Sequence, residues 1–245
     1  MLTPEEKERY ARQIIVPEIG EKGQEALGRS RVLIAGLGGL GSLASLYLAA
    51  AGVGTLRLAD QDRVSLSNLN RQILYMHADI GRIKTEAATE RLLALNGTCR
   101  IDPVCADICA SAERLVEGCD VVIDATDNLA ARRAINRSAV KLGVPMVYGG
   151  IDGFSGTVAV ILPGKSACLE CLFPDRGSHQ NSRTIGAIGA VVGMVASLQC
   201  AEALKLLLKT GQSLADRMLH IRADRGEWKS IRTRRNPNCL VCASL

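Results

Sequence analysis

Polar and hydrophobic positions along the chain fall into two kinds of block. Short apolar runs at 32–35, 55–59, 100–105, 121–123 and 144–148 predict buried strands. Between them, apolar residues recur every three or four positions, which predicts helices over 42–51, 83–95, 111–117 and 129–142. Their ends are punctuated: Gly52 and Gly54 close the first, Asn96-Gly97 the second and Gly143 the last. A leading helix starts at Thr3, with Pro4 in its first position and Glu5 and Glu6 matching the helix dipole, and it carries Arg12. Strands that alternate with helices in this way predict an α/β fold, a mostly parallel sheet with helices on both faces.

Past residue 150 the pattern changes. Residues 154–162 alternate like an antiparallel strand, 163–167 form a turn, and 173–183 are polar, with Pro174, Gly177 and Ser178, predicting a mobile crossover. A long helix over 187–209 follows, then strands over 218–223 and 227–233 as an antiparallel extension. The chain therefore reads as a single domain over 1–245, with a nucleotide-binding half at 1–150 and a second half at 151–245. The apolar stretch 185–198 is interrupted by glycines and falls short of the roughly 20 residues that span a bilayer, so it predicts a buried core or interface helix.

Composition narrows the classes. At 245 residues and 47% hydrophobic the chain can bury one large core, and with 3% aromatic residues that core must be aliphatic. Scarce aromatics also argue against nucleobase-stacking modules. The net charge of +5 permits an acidic partner without demanding nucleic acid. The N-terminus shows no secretory or transit pattern, which gives a cytoplasmic expectation with no membrane partner.

The candidate chemistry starts at the first strand. Val32-Leu33-Ile34-Ala35 runs into Gly36-Leu37-Gly38-Gly39-Leu40-Gly41 and a helix of small residues. Glycines so spaced allow a tight turn, close backbone approach to phosphate and tight packing of helix on strand, the Rossmann-like nucleotide fingerprint. Asp60, at the end of the second strand, suits a ribose hydroxyl. The loop from Asp62 through Ser67, Asn68, Leu69, Asn70 and Arg71 to Gln72 is longer and more polar than a turn requires. Lys84 opens the next helix against the dipole, a hint of an anion nearby, although taken alone it reads as a surface residue. At the carboxyl end of the strand over 121–123, Asp124 to Asn128 lies where open α/β sheets bind ligands, so an aspartate there suits Mg²⁺ beside phosphates.

Nine cysteines in such a chain read as thiols and metal ligands. Cys168-x-x-Cys171 and Cys239-x-x-Cys242 supply four thiolates, the donor set of a closed structural Zn²⁺ site, whereas Cys99, Cys105, Cys109, Cys119 and Cys200 are scattered.

Together, Arg12-Gln13, Gly36 to Gly41, Asp60-x-Asp62, Ser67 to Gln72, Lys84, Thr126-Asp127-Asn128 and the two CxxC pairs resemble the MoeB, ThiF and HesA family of adenylating enzymes, over nearly the whole chain. The resemblance implies that the C-terminal glycine carboxylate of a small ubiquitin-like sulfur-carrier protein, ending in Gly-Gly, attacks the α-phosphate of ATP to give an acyl-adenylate and pyrophosphate. It implies that Asp60 holds the ribose, that Gly39 and its neighbours approach the phosphates, that Asn68, Arg71 and Lys84 line the triphosphate, and that Asp127 holds Mg²⁺. It further implies a homodimer in which Arg12 reaches the partner's ATP. Molybdenum or tungsten cofactor, thiamine, and cysteine or thioamide assembly all use this step in the family.

One position departs from the pattern. Ser182 stands where covalently linking members carry a cysteine, and a hydroxyl is far less ionised at neutral pH, with only His179 near it in sequence. The expectation is an enzyme that stops at the acyl-adenylate and leaves sulfur delivery to a persulfide donor protein. Two other classes are weighed. A nicotinamide-dependent oxidoreductase explains the glycines and Asp60 but leaves Arg71, Lys84 and Asp127 idle. Adenylation of another carboxylate, on a peptide or a modified tRNA base, would give Arg222, Arg225, Lys229, Arg232, Arg234 and Arg235 an RNA to meet, although an acidic protein fits them as well.

Overall fold

The computed structural model describes residues 1–174 and 186–243, so His179, Ser182 and most of the predicted crossover lie outside the described residues. One eight-stranded sheet runs through the molecule in the order β3-β2-β1-β4-β5-β6-β7-β8. Its strands are β1 (Arg31–Ala35), β2 (Thr55–Ala59), β3 (Arg100–Val104), β4 (Val121–Asp124), β5 (Met146–Asp152), β6 (Ser155–Ile161), β7 (Arg217–Arg222) and β8 (Glu227–Arg232). β3 through β5 are parallel, and every pair from β5 to β8 is antiparallel. This is the mostly parallel α/β fold with an antiparallel extension that the pattern predicts.

Alternation along each strand feeds two cores. In β1, Val32 and Ile34 point to one face and Leu33 and Ala35 to the other, all fully buried. The first face is covered by α4 (Gly39–Ala50), α5 (Lys84–Leu95) and α9 (Gly189–Leu208), and the second by α6 (Ile108–Val116), α7 (Leu129–Leu142) and α8 (Leu169–Leu172). Each fully buried Leu, Ile or Val contributes roughly 1.5–3 kcal/mol, and with so few rings the aliphatic side chains carry both cores. α9 is long and apolar enough to cross a bilayer by composition, yet its buried residues pack on α4, β5 and β6. Gly149 of β5 leaves room for Gln199 of α9, because a Cβ at Gly149 would lie 2.5 Å from that side chain.

The structure departs from the pattern mainly at the N-terminus. The leading helix divides at Tyr10 into α1 (Pro4–Arg9) and α2 (Ala11–Ile14), because the Tyr10 ring is drawn into the core against Gly52. Helix α3 (Gly20–Arg29) was hidden by its two internal glycines and near-absence of apolar positions; it packs through Gln24 and Leu27. α4 begins at Gly39, three residues before the expected start, so the glycines themselves form its first turn. α6 begins at Ile108 because Asp107 caps it, accepting from the Cys109 and Ala110 amides.

Candidate active site

Strand register gathers the first group of residues. Ala35 pairs with Ala59 on one side and with Asp124 on the other, so Gly36, Asp60 and Ala125 emerge side by side at the carboxyl edge of the sheet. Gly36 turns with φ +91°, where a side chain is strained, and a Cβ on it would lie 2.8 Å from the Ala125 carbonyl oxygen. At Gly41 a Cβ would lie 1.8 Å from the Gly36 carbonyl oxygen, so only glycine lets α4 start this close to the turn. Gly38 caps α4 with no side-chain hydrogen bond, which leaves the first-turn amides facing the edge.

Asp60 is buried and braces this turn. Its Oδ2 accepts the Leu37 amide at 2.7 Å and its Oδ1 accepts the Asp62 amide at 2.8 Å. A carboxylate has about four lone-pair sites, so capacity remains for a hydroxyl donor. Sequence reasoning gave Asp60 a ligand and missed its work on the loop. Lys84 is buried at the start of α5, its Nζ 2.9 Å from Asp62 Oδ2 and 3.6 Å from Asp60 Oδ2. Read alone it was a surface lysine; the structure buries it and sets it beside these two carboxylates.

The polar loop folds back over the glycines. A short 3-10 turn at Leu66–Asn68 begins it, and the Asn68 side chain accepts the Ser65 amide at 3.1 Å. Asn70 donates to the Ser67 carbonyl at 3.3 Å, and Arg71 donates to the same carbonyl at 2.9 Å and to Asn70 Oδ1 at 3.3 Å. Leu69 packs against the core, anchoring the loop. A Cβ on Gly39 would lie 3.6 Å from Arg71 Cγ and one on Gly38 would lie 3.9 Å from Gln72 Nε2, so both side chains stand beside the glycine turn. Gln72 is buried, and its Oε1 has no hydrogen-bond partner among the described residues.

Asp127 closes the edge. Asn128, not an aspartate, caps α7 by accepting the Ala131 amide at 2.8 Å, and Asp124 turns inward, its Oδ1 accepting the Thr126 hydroxyl at 2.7 Å and amide at 3.1 Å. Asp127 is thereby left exposed, outside the cap. Burial pushes the Asp124 carboxyl above the usual carboxylate range, against the pull of the Arg132 guanidinium.

Arg12 is not brought to this edge. Neighbouring Gln13 donates to the Ala51 carbonyl at 3.0 Å, beyond the C-terminal end of α4, and Arg9 donates to Leu95 at the end of α5. Both helices begin at the glycine edge, so α2 sits at their far ends with Arg12 exposed.

The two CxxC pairs meet on the α7 side of the sheet. Cys168 Sγ is 3.6 Å from Cys239 Sγ and 3.9 Å from Cys171 Sγ, and Cys171 Sγ is 3.5 Å from Cys242 Sγ. Four thiolates about 2.3 Å from a tetrahedral Zn²⁺ stand about 3.8 Å apart, so this cluster fits zinc with no position left for a substrate. The Asn236 amide donates to Cys171 Sγ at 3.4 Å, and Arg235 ties the Gly164 and Cys242 carbonyls together around the knuckle.

A doubly wound sheet with a glycine turn at its carboxyl edge and a four-cysteine knuckle defines a Rossmann-like α/β protein. Residues 10–241 match the ThiF family, and the chain belongs to that family. It is 41% identical to a sulfur carrier protein adenylyltransferase of Thermus thermophilus, over 98% of this chain and 92% of that protein. It is 42% identical to the sulfur carrier protein ThiS adenylyltransferase of Escherichia coli, over 96% of this chain and 94% of that one. Among solved structures, the crystal structure of Escherichia coli MccB with ATP superposes with a TM-score of 0.85 at 26% identity, covering 96% of this chain and 74% of that one.

Proposed function

We propose that this protein is an ATP-dependent adenylyltransferase that activates the C-terminal glycine carboxylate of a small ubiquitin-like sulfur-carrier protein. The observation that carries the reading is one sheet edge holding an uncapped helix N-terminus, Arg71 beside it, the buried Lys84 behind it and the exposed Asp127 across from it. A carboxylate is already ionised at neutral pH, so the step needs no general base. Its oxygen bonds to the α-phosphorus as the bond to the β-phosphate oxygen breaks, and pyrophosphate leaves with the electron pair. The barrier is that of bringing one anion onto another, which cations and fixed amides lower.

In this reading Asp60 takes the ribose, the Gly38 to Gly41 turn takes phosphate oxygens, and Asn68, Arg71 and Lys84 line the triphosphate. Asp127 holds Mg²⁺, which neutralises charge on the phosphates. The Cys168, Cys171, Cys239 and Cys242 cluster holds a structural Zn²⁺. The enzyme works as a homodimer with Arg12 acting on the partner's nucleotide, and in the cytoplasm, where thiolate ligands stay reduced. A sulfur carrier is favoured because the relatives named for sulfur carriers are 41–42% identical to this chain over nearly its whole length.

The test is exchange of labelled pyrophosphate into ATP in the presence of carriers that end in Gly-Gly. The expected result is exchange that needs an intact carrier terminus and falls about 100-fold or more in Asp127→Ala. Exchange without any carrier, or none with any carrier by a protein that binds ATP, overturns the reading.

A further inference from the structure

Arg132 lies in the first turn of α7, and its side chain is largely withdrawn from solvent. Its guanidinium reaches two elements at once. Nη2 donates to the Thr126 carbonyl at 2.6 Å and Nη1 donates to the Gly149 carbonyl of β5 at 3.0 Å. The Thr126 carbonyl belongs to the same peptide group as the Asp127 amide, and that group is planar, so holding the carbonyl also holds the Asp127 amide and the bond from it to the Asp127 Cα.

The guanidinium is itself held on two sides. Asp124, with no solvent exposure, places Oδ2 3.7 Å from Arg132 Nη1, and among the described residues that oxygen accepts no hydrogen bond. The Tyr148 ring lies under the guanidinium with its centroid 4.8 Å away, and Phe173 packs on Tyr148 with centroids 5.3 Å apart. Behind them Gln199 donates to the Asp124 carbonyl at 2.9 Å and to the Val147 carbonyl at 3.2 Å. If Arg132 served only to neutralise Asp124, one donor aimed at that carboxylate would do. Instead its two hydrogen bonds go to carbonyls of the two segments that meet at the nucleotide edge.

We propose that Arg132 is a positioning residue of the adenylation site: it locks the Thr126–Asp127 peptide to β5 so that the Asp127 carboxylate stands where it can take the divalent cation that accompanies ATP. This rests on the adenylation reading above. A lysine cannot replace it, because a single ammonium on a flexible stem does not span two carbonyls in the plane of a fork.

The experiment titrates the full-length protein with ATP by calorimetry, in excess Mg²⁺ and again with a chelator, for wild type, Arg132→Lys and the neutral pair Asp124→Asn/Arg132→Met. Arg132→Lys keeps a cation beside Asp124, and the neutral pair removes both charges, so at least one variant is free of a stranded buried charge. Wild type should bind ATP more tightly with Mg²⁺. Both variants should keep metal-free ATP binding within about twofold and lose about tenfold or more of the Mg²⁺-dependent affinity, with a matching fall in pyrophosphate exchange at saturating ATP. Unchanged Mg²⁺ dependence in either folded variant overturns the proposal, and so does an equal loss with and without metal, which marks a purely structural role. Wild type that binds no ATP overturns the adenylation reading, a result separable from the others because it appears before any substitution.

Discussion

At the scale of single residues, burial separates the cysteines that the sequence left as one scattered group. Burial pushes the Cys99 and Cys119 thiols up to about 11 and the Cys200 thiol up to about 12, whereas Cys105 and Cys109 are exposed. Cys200 packs with its Sγ 3.6 Å from the Ala44 carbonyl oxygen, so its place on α9 serves the core. A thiol must ionise to react, which predicts an order of modification: with maleimide at neutral pH, Cys105 and Cys109 label within minutes, while Cys99, Cys119 and Cys200 label only after unfolding. Peptide mapping by mass spectrometry reads this directly, and early labelling of Cys200 in folded protein contradicts the packing. Chemistry at residue scale was legible where a residue type recurs at a telling spacing, as with the CxxC pairs, whose four thiols the structure brings together. It was not legible for Asp124, Arg132 and Gln199, because a buried polar network is assembled from three separate elements and each member looks ordinary in its own stretch.

At the scale of elements, the sequence showed the strands and the glycine helix because their patterns are set locally by periodicity and backbone freedom. It hid α3 and the break at Tyr10, which are tertiary: α3 holds Gln24 under the Ala51 carbonyl, and Tyr10 leaves the helix line to reach Asn96, whose amide donates to its hydroxyl at 2.8 Å. The zinc knuckle is coupled to α7 in the same long-range way. The Leu169 amide donates to buried Asn136 at 2.9 Å, and Glu170 pairs with Arg133 at 3.3 Å, so α8 grips the helix whose first turn follows Asp127. Stripping zinc with a chelator should therefore lower the melting temperature by several degrees, an effect of roughly 2 kcal/mol or more, and re-addition of zinc should restore it. Close to one zinc per chain by elemental analysis is expected beforehand. A metal-free preparation with an unchanged melting curve removes the structural role of the knuckle.

At the scale of the whole molecule, the question is how Arg12 can meet a nucleotide. α4 has 12 residues and spans about 18 Å from the glycine turn to its far end, where Gln13 and Tyr10 anchor α2, and that exceeds the reach of an arginine side chain. Arg12 therefore serves a second chain or no nucleotide at all. A two-fold dimer makes the first option testable, because each site would combine Asp127 of one chain with Arg12 of the other. Arg12→Ala and Asp127→Ala should each abolish carrier-dependent pyrophosphate exchange as homodimers. Mixed and allowed to exchange subunits, half of the dimers should be hybrids. Each hybrid carries one site with both groups intact and one with neither, so roughly a quarter of wild-type exchange should return. Light scattering must show the dimer, and differently tagged subunits must show that exchange occurred. Full activity from a monomer, or no recovery in a verified hybrid, leaves Arg12 outside the reaction.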